Sequence, residues 1–306
     1  MHKFYAKLNY RKIIKGVTYM EPQSLSEQLM LSTILINTEQ GRGTGFFYHF
    51  VYDNNVVVPV IITNKHVVNY KRTEKVSFAV HLKDNSNIVI GTTTIELEVE
   101  WIQHSNKDLC FCFANHIIEA LKSQGKNIFY IAIDDSLIYD MTKLKKLSAV
   151  EDVLMVGYPI GMSDEINHYP IFRRGITASH PAIDFNQKGI GLVDMACFPG
   201  SSGSPIFIIN EGSYSDKNGT VNIASRAIFL GVLYAGPTFN AQGEINVTEI
   251  PTSQIGITTP VMVNLGYYIK ATELAEFRNF IEAMLKLKGL TQNFKELKNG
   301  KNTETA

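Results

Sequence analysis

Short apolar runs, each cut off by Gly, Asn, Asp or Pro, follow one another through most of the 306-residue chain, and they leave few folds open. Leu29–Ile36, Gly45–Val51, Val56–Thr63, Lys75–Leu82, Asn87–Thr94, Glu96–Trp101 and Leu109–Ala114 form a first set. Val153–Tyr158, Phe172–Ser179, Gly191–Ala196, Pro205–Ile209, Ala227–Tyr234 and Gly256–Pro260 form a second. Leu109–Ala114 alternates strictly, with Leu109, Phe111 and Phe113 on one face and Cys110, Cys112 and Ala114 on the other. No long helical pattern separates the runs, which argues against a doubly wound α/β sheet. Residues 117–150 differ, with a helical piece near Ile118–Lys122 and a polar, lysine-bearing stretch. The pattern predicts an all-β chain of two antiparallel six-stranded β-barrels joined by a linker. The expected units are an arm at 1–25, a first barrel at 26–116, the linker at 117–150 and a second barrel at 151–270.

Only the C-terminal part reads as a helix. From Ala271 to Leu287, Leu274, Phe277, Ile281 and Leu285 recur at three-four spacing, with Phe280 and Met284 beside them. Thr272 is the expected N-cap and Gly289 the expected stop, giving a C-terminal α-helix at 271–290 and a frayed tail at 291–306. The stripe is expected to dock on the second barrel.

Charge and composition narrow the function. Lys plus Arg number 29 and Asp plus Glu number 29, so no basic excess exists to hold nucleic acid or an anionic membrane. Hydrophobic residues make up 45% of the chain, enough for a packed core and too many for a disordered one. The longest apolar candidate, Ile228–Tyr234, is too short to span a bilayer. Lys3, Lys7, Arg11, Lys12 and Lys15 give a basic start without the apolar segment of a signal peptide, so a surface arm is expected. Three cysteines, Cys110, Cys112 and Cys197, cannot build a disulfide framework and point to the reducing cytoplasm. Cys110 and Cys112 also lack the loop spacing that wraps zinc, and they read as small core hydrophobes. No cofactor and no metal is expected.

Three places carry chemistry. His66 follows the apolar run ending Ile62-Thr63-Asn64-Lys65, and Asp108 immediately precedes the alternating strand. Ser202 lies in Phe198-Pro199-Gly200-Ser201-Ser202-Gly203-Ser204-Pro205, a Gly-rich turn that enters a further strand. A Ser hydroxyl becomes nucleophilic when an imidazole removes its proton, and a carboxylate on the far ring nitrogen holds that imidazole in one tautomer. Backbone N–H groups at a Gly-rich turn stabilise the resulting oxyanion. The residues therefore point to His66 as base, Asp108 as orienter and Ser202 as nucleophile. Taken singly, each also fits an ordinary structural place, and the Gly-Ser run has the composition of a flexible loop.

Together these segments resemble the chymotrypsin-fold (trypsin-like) serine proteases. Thr63-Asn64-Lys65-His66-Val67, Asp108-Leu109 and Gly200-Ser201-Ser202-Gly203-Ser204-Pro205 carry the likeness, with the three chemical groups 42 and 94 positions apart. Gly43-Thr44-Gly45-Phe46, Val156-Gly157-Tyr158-Pro159, Gly175-Ile176-Thr177-Ala178 and Asp194-Met195-Ala196 are similar to segments of the bacterial high-temperature-requirement proteases. The resemblance implies a serine endopeptidase acting on protein or peptide substrates, with the N–H groups of Gly200 and Ser202 as oxyanion hole. It also implies Ala196 at the base of the specificity pocket and Leu233, Tyr234 and Ala235 along one wall, favouring an apolar residue before the cut.

Departures from the family bear on control. Ser201 stands where the digestive members carry an Asp that pairs with a newly cut N-terminus, and no activation site precedes the strands. Too few residues follow Lys270 for the peptide-binding PDZ domain of the high-temperature-requirement enzymes. Ser204 replaces a usual Gly and is expected to crowd the turn. Regulation by a protein activator or by conformational ordering, and not by zymogen cleavage, is therefore expected. A protease-like binding module with dormant catalysis is the alternative.

Overall fold

The computed structural model of the chain describes residues 22–52, 56–161, 164–244 and 256–287. The expected basic arm up to residue 21, the stop at Gly289 and the tail 291–306 lie outside the described residues. The first element is a helix, α1 (Leu25–Met30), where a strand was expected from Leu29. A capping box causes this. Ser24 Oγ accepts from the Glu27 N–H at 3.2 Å, and Glu27 Oε2 accepts from the Ser24 N–H at 2.9 Å, so two donors of the first turn are satisfied reciprocally.

The strands of the first half are β1 (Thr33–Asn37), β2 (Arg42–Tyr52), β3 (Val56–Thr63), β4 (Thr73–Lys83), β5 (Val89–Glu100), β6 (Ile102–Gln103) and β7 (Cys110–Phe113). The two runs expected at 87–94 and 96–101 are one strand, β5, paired with β4 from Thr73↔Glu100 to Lys83↔Val89. After α2 (Asn115–Ser123), β8 (Asn127–Phe129) pairs with β4 and β9 (Ile133–Asp134) pairs in parallel with β2. Part of the stretch expected as a linker thus belongs to the first sheet. The hydrogen-bonded order is β5-β4-β1-β2-β3-β7-β6, and its two ends do not join. The first half is therefore a curled nine-stranded sheet, not the closed six-stranded barrel expected. The terminal strand β6 is two residues long and offers too few backbone groups to zip against β5.

The second half does close. It contains α3 (Met141–Leu144), β10 (Asp152–Gly157), β11 (Ile171–Thr177), β12 (Ile190–Asp194), β13 (Pro205–Asn210), β14 (Tyr214–Ser215), β15 (Val221–Asn222), β16 (Arg226–Ala235), β17 (Thr238–Glu244), β18 (Gly256–Met262) and β19 (Leu265–Lys270). The barrel runs β10-β11-β12-β19-β16-β13. The run expected at 256–260 is not one of its staves, because β18 pairs with β17 in a separate hairpin. The sixth stave is β19, which joins β12 to β16.

Alternation along the strands sorts side chains into three cores. Phe47, Ile61, Cys110 and Cys112 face a core within the first sheet, with Trp101 and Ile117. Val153, Met155, Ile206, Ile208 and Ile228 face a core inside the closed barrel. The intervening residues Phe46, Tyr48, Ile62, Phe111, Phe207 and Phe229 turn the other way and meet in a third core between the halves. Strands buried on both faces read as continuous apolar runs, and that accounts for the lack of polar alternation in β3 and β13.

The C-terminal residues enter through a 3-10 turn (Ala271–Leu274) that leads into α4 (Ala275–Leu287). Thr272 lies inside that turn, so the expected N-cap is displaced to Lys270. Leu274, Phe277, Ile281 and Leu285 are buried in the core between the halves. The named polar and aromatic contacts of α4 are with the first half. Phe277 meets the edge of Phe111 at 4.9 Å, the Tyr52 hydroxyl donates to the Arg278 carbonyl at 2.9 Å, and Arg278 pairs with Asp135. The apolar stripe lies in the core that the second barrel shares through Phe207, Phe229 and Ile269, so the helix docks across both halves and not on the second barrel alone.

Two consequences are measurable. Phe277→Ala should lower unfolding free energy by about 3–5 kcal/mol in urea titrations, as expected for emptying a fully buried aromatic site. His81, 5% exposed on β4 and stacked on Tyr169 at 5.1 Å, is held down to about pKa 4 by burial and secondarily by His168. A depressed His pKa favours folding above the unfolded value of 6.5, and this contribution is lost as pH falls from 6.5 through about 4. His81→Phe should flatten that part of the stability–pH curve by on the order of 3 kcal/mol.

Candidate active site

The three sequence-predicted groups come from three strand ends at the seam between the halves. β3 ends at Thr63, and a 3-10 turn (His66–Val68) follows immediately. Asp108 leads into β7, and Ser202 precedes β13. His66 and Asp108 are locked together twice. Asp108 Oδ2 accepts from His66 Nδ1 at 2.5 Å, and Oδ1 accepts from the His66 backbone N–H at 3.1 Å. Because the neutral ring keeps its proton on Nδ1, donated as a hydrogen bond to the carboxylate, Nε2 is left with a free lone pair. The His66 side chain is 33% exposed and that of Asp108 19%, so the ring shields the carboxylate from solvent. Asn64, fully buried, donates from Nδ2 to the Asp108 carbonyl at 2.7 Å and fixes the loop from behind.

Ser202 and His66 line one cleft of about 270 Å³, together with Gly200, Asn69, Gln40 and Arg42. The Ser202 hydroxyl makes no hydrogen bond to His66 in this structure. Both N–H groups expected for an oxyanion are present and unengaged: neither Gly200 nor Ser202 donates its amide to any described residue. Their neighbours are all committed. Ser201 N–H donates to Phe198 O at 3.0 Å, Gly203 N–H to Leu233 O at 2.9 Å and Ser204 N–H to Ser201 O at 3.0 Å. The Pro199 carbonyl is turned away from the cleft onto the Ile160 N–H at 2.5 Å.

One residue that the motifs contained without a stated role organises this loop. Thr44 N–H donates to the Ser202 carbonyl at 2.8 Å, and Thr44 Oγ1 donates to the Gly200 carbonyl at 2.9 Å. The same oxygen accepts from the Tyr158 N–H at 3.0 Å, while the Thr44 carbonyl accepts from Thr63 Oγ1 at 2.7 Å. Gly203 must be glycine here, since its φ is +87° and a Cβ would collide with the Thr44 carbonyl. Ser204 does not crowd the turn as expected. Its side chain occupies the space that a Cβ on Gly157 would fill, and its hydroxyl is buried without a partner. The signal for Thr44 was its place in Gly43-Thr44-Gly45, a small polar residue between glycines in an otherwise apolar strand.

The residues expected around the specificity pocket do not line this cleft. Leu233 is 3% exposed and packs into the closed barrel against Gly266. Ala196, Tyr234 and Ala235 are half-buried, with Tyr234 leaning on Tyr267 at 6.4 Å between ring centres. Cys110, Cys112 and Cys197 are free and buried, and burial pushes their thiols up, Cys197 to about 11. Among the described residues no cluster of three or more His, Cys, Asp or Glu is placed to hold a metal, and no helix is long and apolar enough to cross a membrane.

A family model described as a trypsin-like peptidase domain matches residues 43–213, more than half of the chain. No curated protein matches by sequence. Among solved structures, the inactive form of Rv3671c from M. tuberculosis, a serine-to-alanine mutant, is 14% identical, with 86% of this chain and 91% of that one covered at a TM-score of 0.39. The serine protease of a human pathogenic astrovirus is 13% identical, with 80% and 93% covered at a TM-score of 0.39.

Thr44→Val keeps the shape of the side chain and removes its oxygen, stranding the Gly200 carbonyl and the Tyr158 N–H. Each buried group left unpaired costs about 1–3 kcal/mol. The variant should unfold at lower urea with an unchanged m-value, whereas Thr44→Ser should stay close to wild type.

Proposed function

The chain belongs to the trypsin-like peptidase family, and from that footing we propose that it is a serine endopeptidase working through His66, Asp108 and Ser202. The observation that carries this reading is His66, bonded to Asp108 through both its ring Nδ1 and its backbone N–H, with Nε2 left free and the ring lining the cleft that Ser202 shares. In the proposed reaction Ser202 Oγ attacks the carbonyl carbon of a peptide bond while His66 Nε2 takes the hydroxyl proton. Asp108 stabilises the imidazolium so formed and holds its orientation. The negative charge that develops on the carbonyl oxygen is met by the N–H groups of Gly200 and Ser202. His66 then gives its proton to the leaving amine, and an acyl group remains on Ser202. Water, deprotonated by the same nitrogen, releases the acyl group and restores the enzyme.

Control is proposed to lie in the one contact still open. Gly200, Gly203 and Asp108 are already fixed, while Ser202 and His66 are unbonded, so binding of substrate or of a protein activator is proposed to close that gap. Three buried thiols without disulfides support a cytoplasmic setting.

Ser202→Ala should abolish labelling by a serine-directed fluorophosphonate and all hydrolysis of unfolded casein. Asp108→Asn should slow turnover by up to about 10⁴, because the ring is then held in the wrong tautomer. Wild-type protein that stays unlabelled both alone and in cell lysate would refute the peptidase reading. Labelling that is faster in lysate supports an activator, and equal rates count against one.

A further inference from the structure

The loop that presents Asp108 is wrapped around an imidazole that the proposed reaction does not use. His104, 4% exposed, closes the β6–β7 connection with its backbone N–H on the Leu109 carbonyl at 2.9 Å. Its ring Nδ1 lies at 3.2 Å from the Asn106 N–H and 3.1 Å from the Lys107 N–H, both donating. A nitrogen that accepts two bonds carries no proton, so the proton of the neutral ring sits on Nε2, which faces Glu276 Oε2 at 3.3 Å. Glu276 belongs to the first turn of α4, and its carboxylate also takes the Ser105 N–H at 2.6 Å and the Ser105 hydroxyl at 2.7 Å. Phe277 closes the ring's remaining edge at 5.5 Å between centres. Lys107, one residue before Asp108, reaches Glu273 at 3.5 Å and the Lys188 carbonyl at 2.7 Å. Every polar group of residues 104–107 named here is thus tied to the ring, to the C-terminal helix or to the second half of the chain.

We propose that His104 is a positioning residue for the reaction: its neutral ring, bridged to Glu276 of α4, fixes the turn that aims Asp108 at His66. The inference rests on the peptidase reading. The mechanism is geometric. The His66–Asp108 bond at 2.5 Å tolerates little displacement of the carboxylate, and misplacement of a catalytic group by about 1 Å can cost about 10²-fold in rate. Protonation of Nδ1 replaces an acceptor by a donor facing two N–H groups, so the turn must open. The charged and titratable groups facing the ring are Glu276 on α4, Glu273 in the 3-10 turn before it and Lys65 beside His66. Burial, the largest influence, keeps the ring's pKa below its ordinary value against the attraction of the two glutamates. The neutral, accepting form therefore holds at neutral pH and is lost on acidification.

The rate at which a fluorophosphonate labels Ser202, resolved into saturating rate and half-saturating concentration, reads this without a known substrate. His104→Phe keeps the ring volume and removes the acceptor; it should lower the saturating rate by about 10²-fold with the half-saturating concentration unchanged. It should also broaden or abolish the downfield proton resonance of the His66–Asp108 bond. His104→Asn places a carbonyl oxygen where Nδ1 sits and cannot be protonated. It should restore most of the rate and lose one of two ionisations on the acid limb of the pH profile. His104→Phe that folds and matches wild type in rate and resonance overturns the proposal. If that variant does not fold, an acid limb of His104→Asn identical to wild type overturns it instead. An unlabelled wild type would refute the underlying peptidase reading, which keeps the two failures apart.

Discussion

At the loop that carries Ser202, the two halves of this chain are joined by Thr44. Its N–H and its hydroxyl hold the carbonyls of Ser202 and Gly200, which lie two residues apart on the loop. Gripping both carbonyls from one side fixes the course of the loop from Gly200 to Ser202. The grip extends outward, since the same oxygen accepts from Tyr158 and the Thr44 carbonyl is capped by Thr63. Thr63 is the last residue of β3, three positions before His66. The base-bearing turn and the nucleophile loop are therefore built against one buried threonine. Their separation is set by a short run of hydrogen bonds through Thr44 and Thr63.

That arrangement depends on the core between the halves. Phe46 and Tyr48 flank Thr44 along β2 and pack with Phe229 of the closed barrel at 5.5 and 6.4 Å between ring centres. Interlocked aromatic side chains resist sliding, because a shift of one residue in register would exchange core-facing and outward-facing positions along the strand. The hydrogen bonds of Thr44 give direction to an interface whose free energy comes mainly from apolar burial. Helix α4 completes it by covering the flank of Phe111, the strand residue that follows Asp108 by three.

The sequence was most legible where one physical rule acted alone. Two-faced burial made β2, β3, β7, β13 and β16 stand out as apolar runs, and the alternation of Leu109 and Phe111 against Cys110 and Cys112 divides between two cores as read. His66, Asp108 and Ser202 drew attention because each abuts such a run, and His66 is bonded to Asp108 and shares a cleft with Ser202. What was hidden required pairing information. Nothing in Leu265–Lys270 distinguishes a barrel stave from a loop until β12 and β16 are on either side of it. Closure of the second half and the open edge of the first depend on strand partners, to which composition is blind. The capping box at Ser24 and Glu27 was a local signal, outweighed by the apolar run that begins at Leu29. His104 gave no cue, because its meaning comes from Glu276, far along the chain.

Ser201 shows how this loop is ordered without charge. In the digestive relatives that position is an Asp which pairs with a new N-terminus, a buried ion pair whose desolvation consumes much of its attraction. Here the position is a buried serine whose hydroxyl has no partner, so it contributes no comparable tether. Order comes instead from neutral hydrogen bonds: Thr44 on one side, the Ile160 N–H on Pro199 on the other and Leu233 beneath Gly203. Such bonds join neutral groups and carry no buried charge to desolvate. Across the cleft that Ser202 and His66 share, the loop carrying Asp108 is also ordered by hydrogen bonds, its N–H groups held by the His104 ring and Ser105 tied to Glu276 of α4.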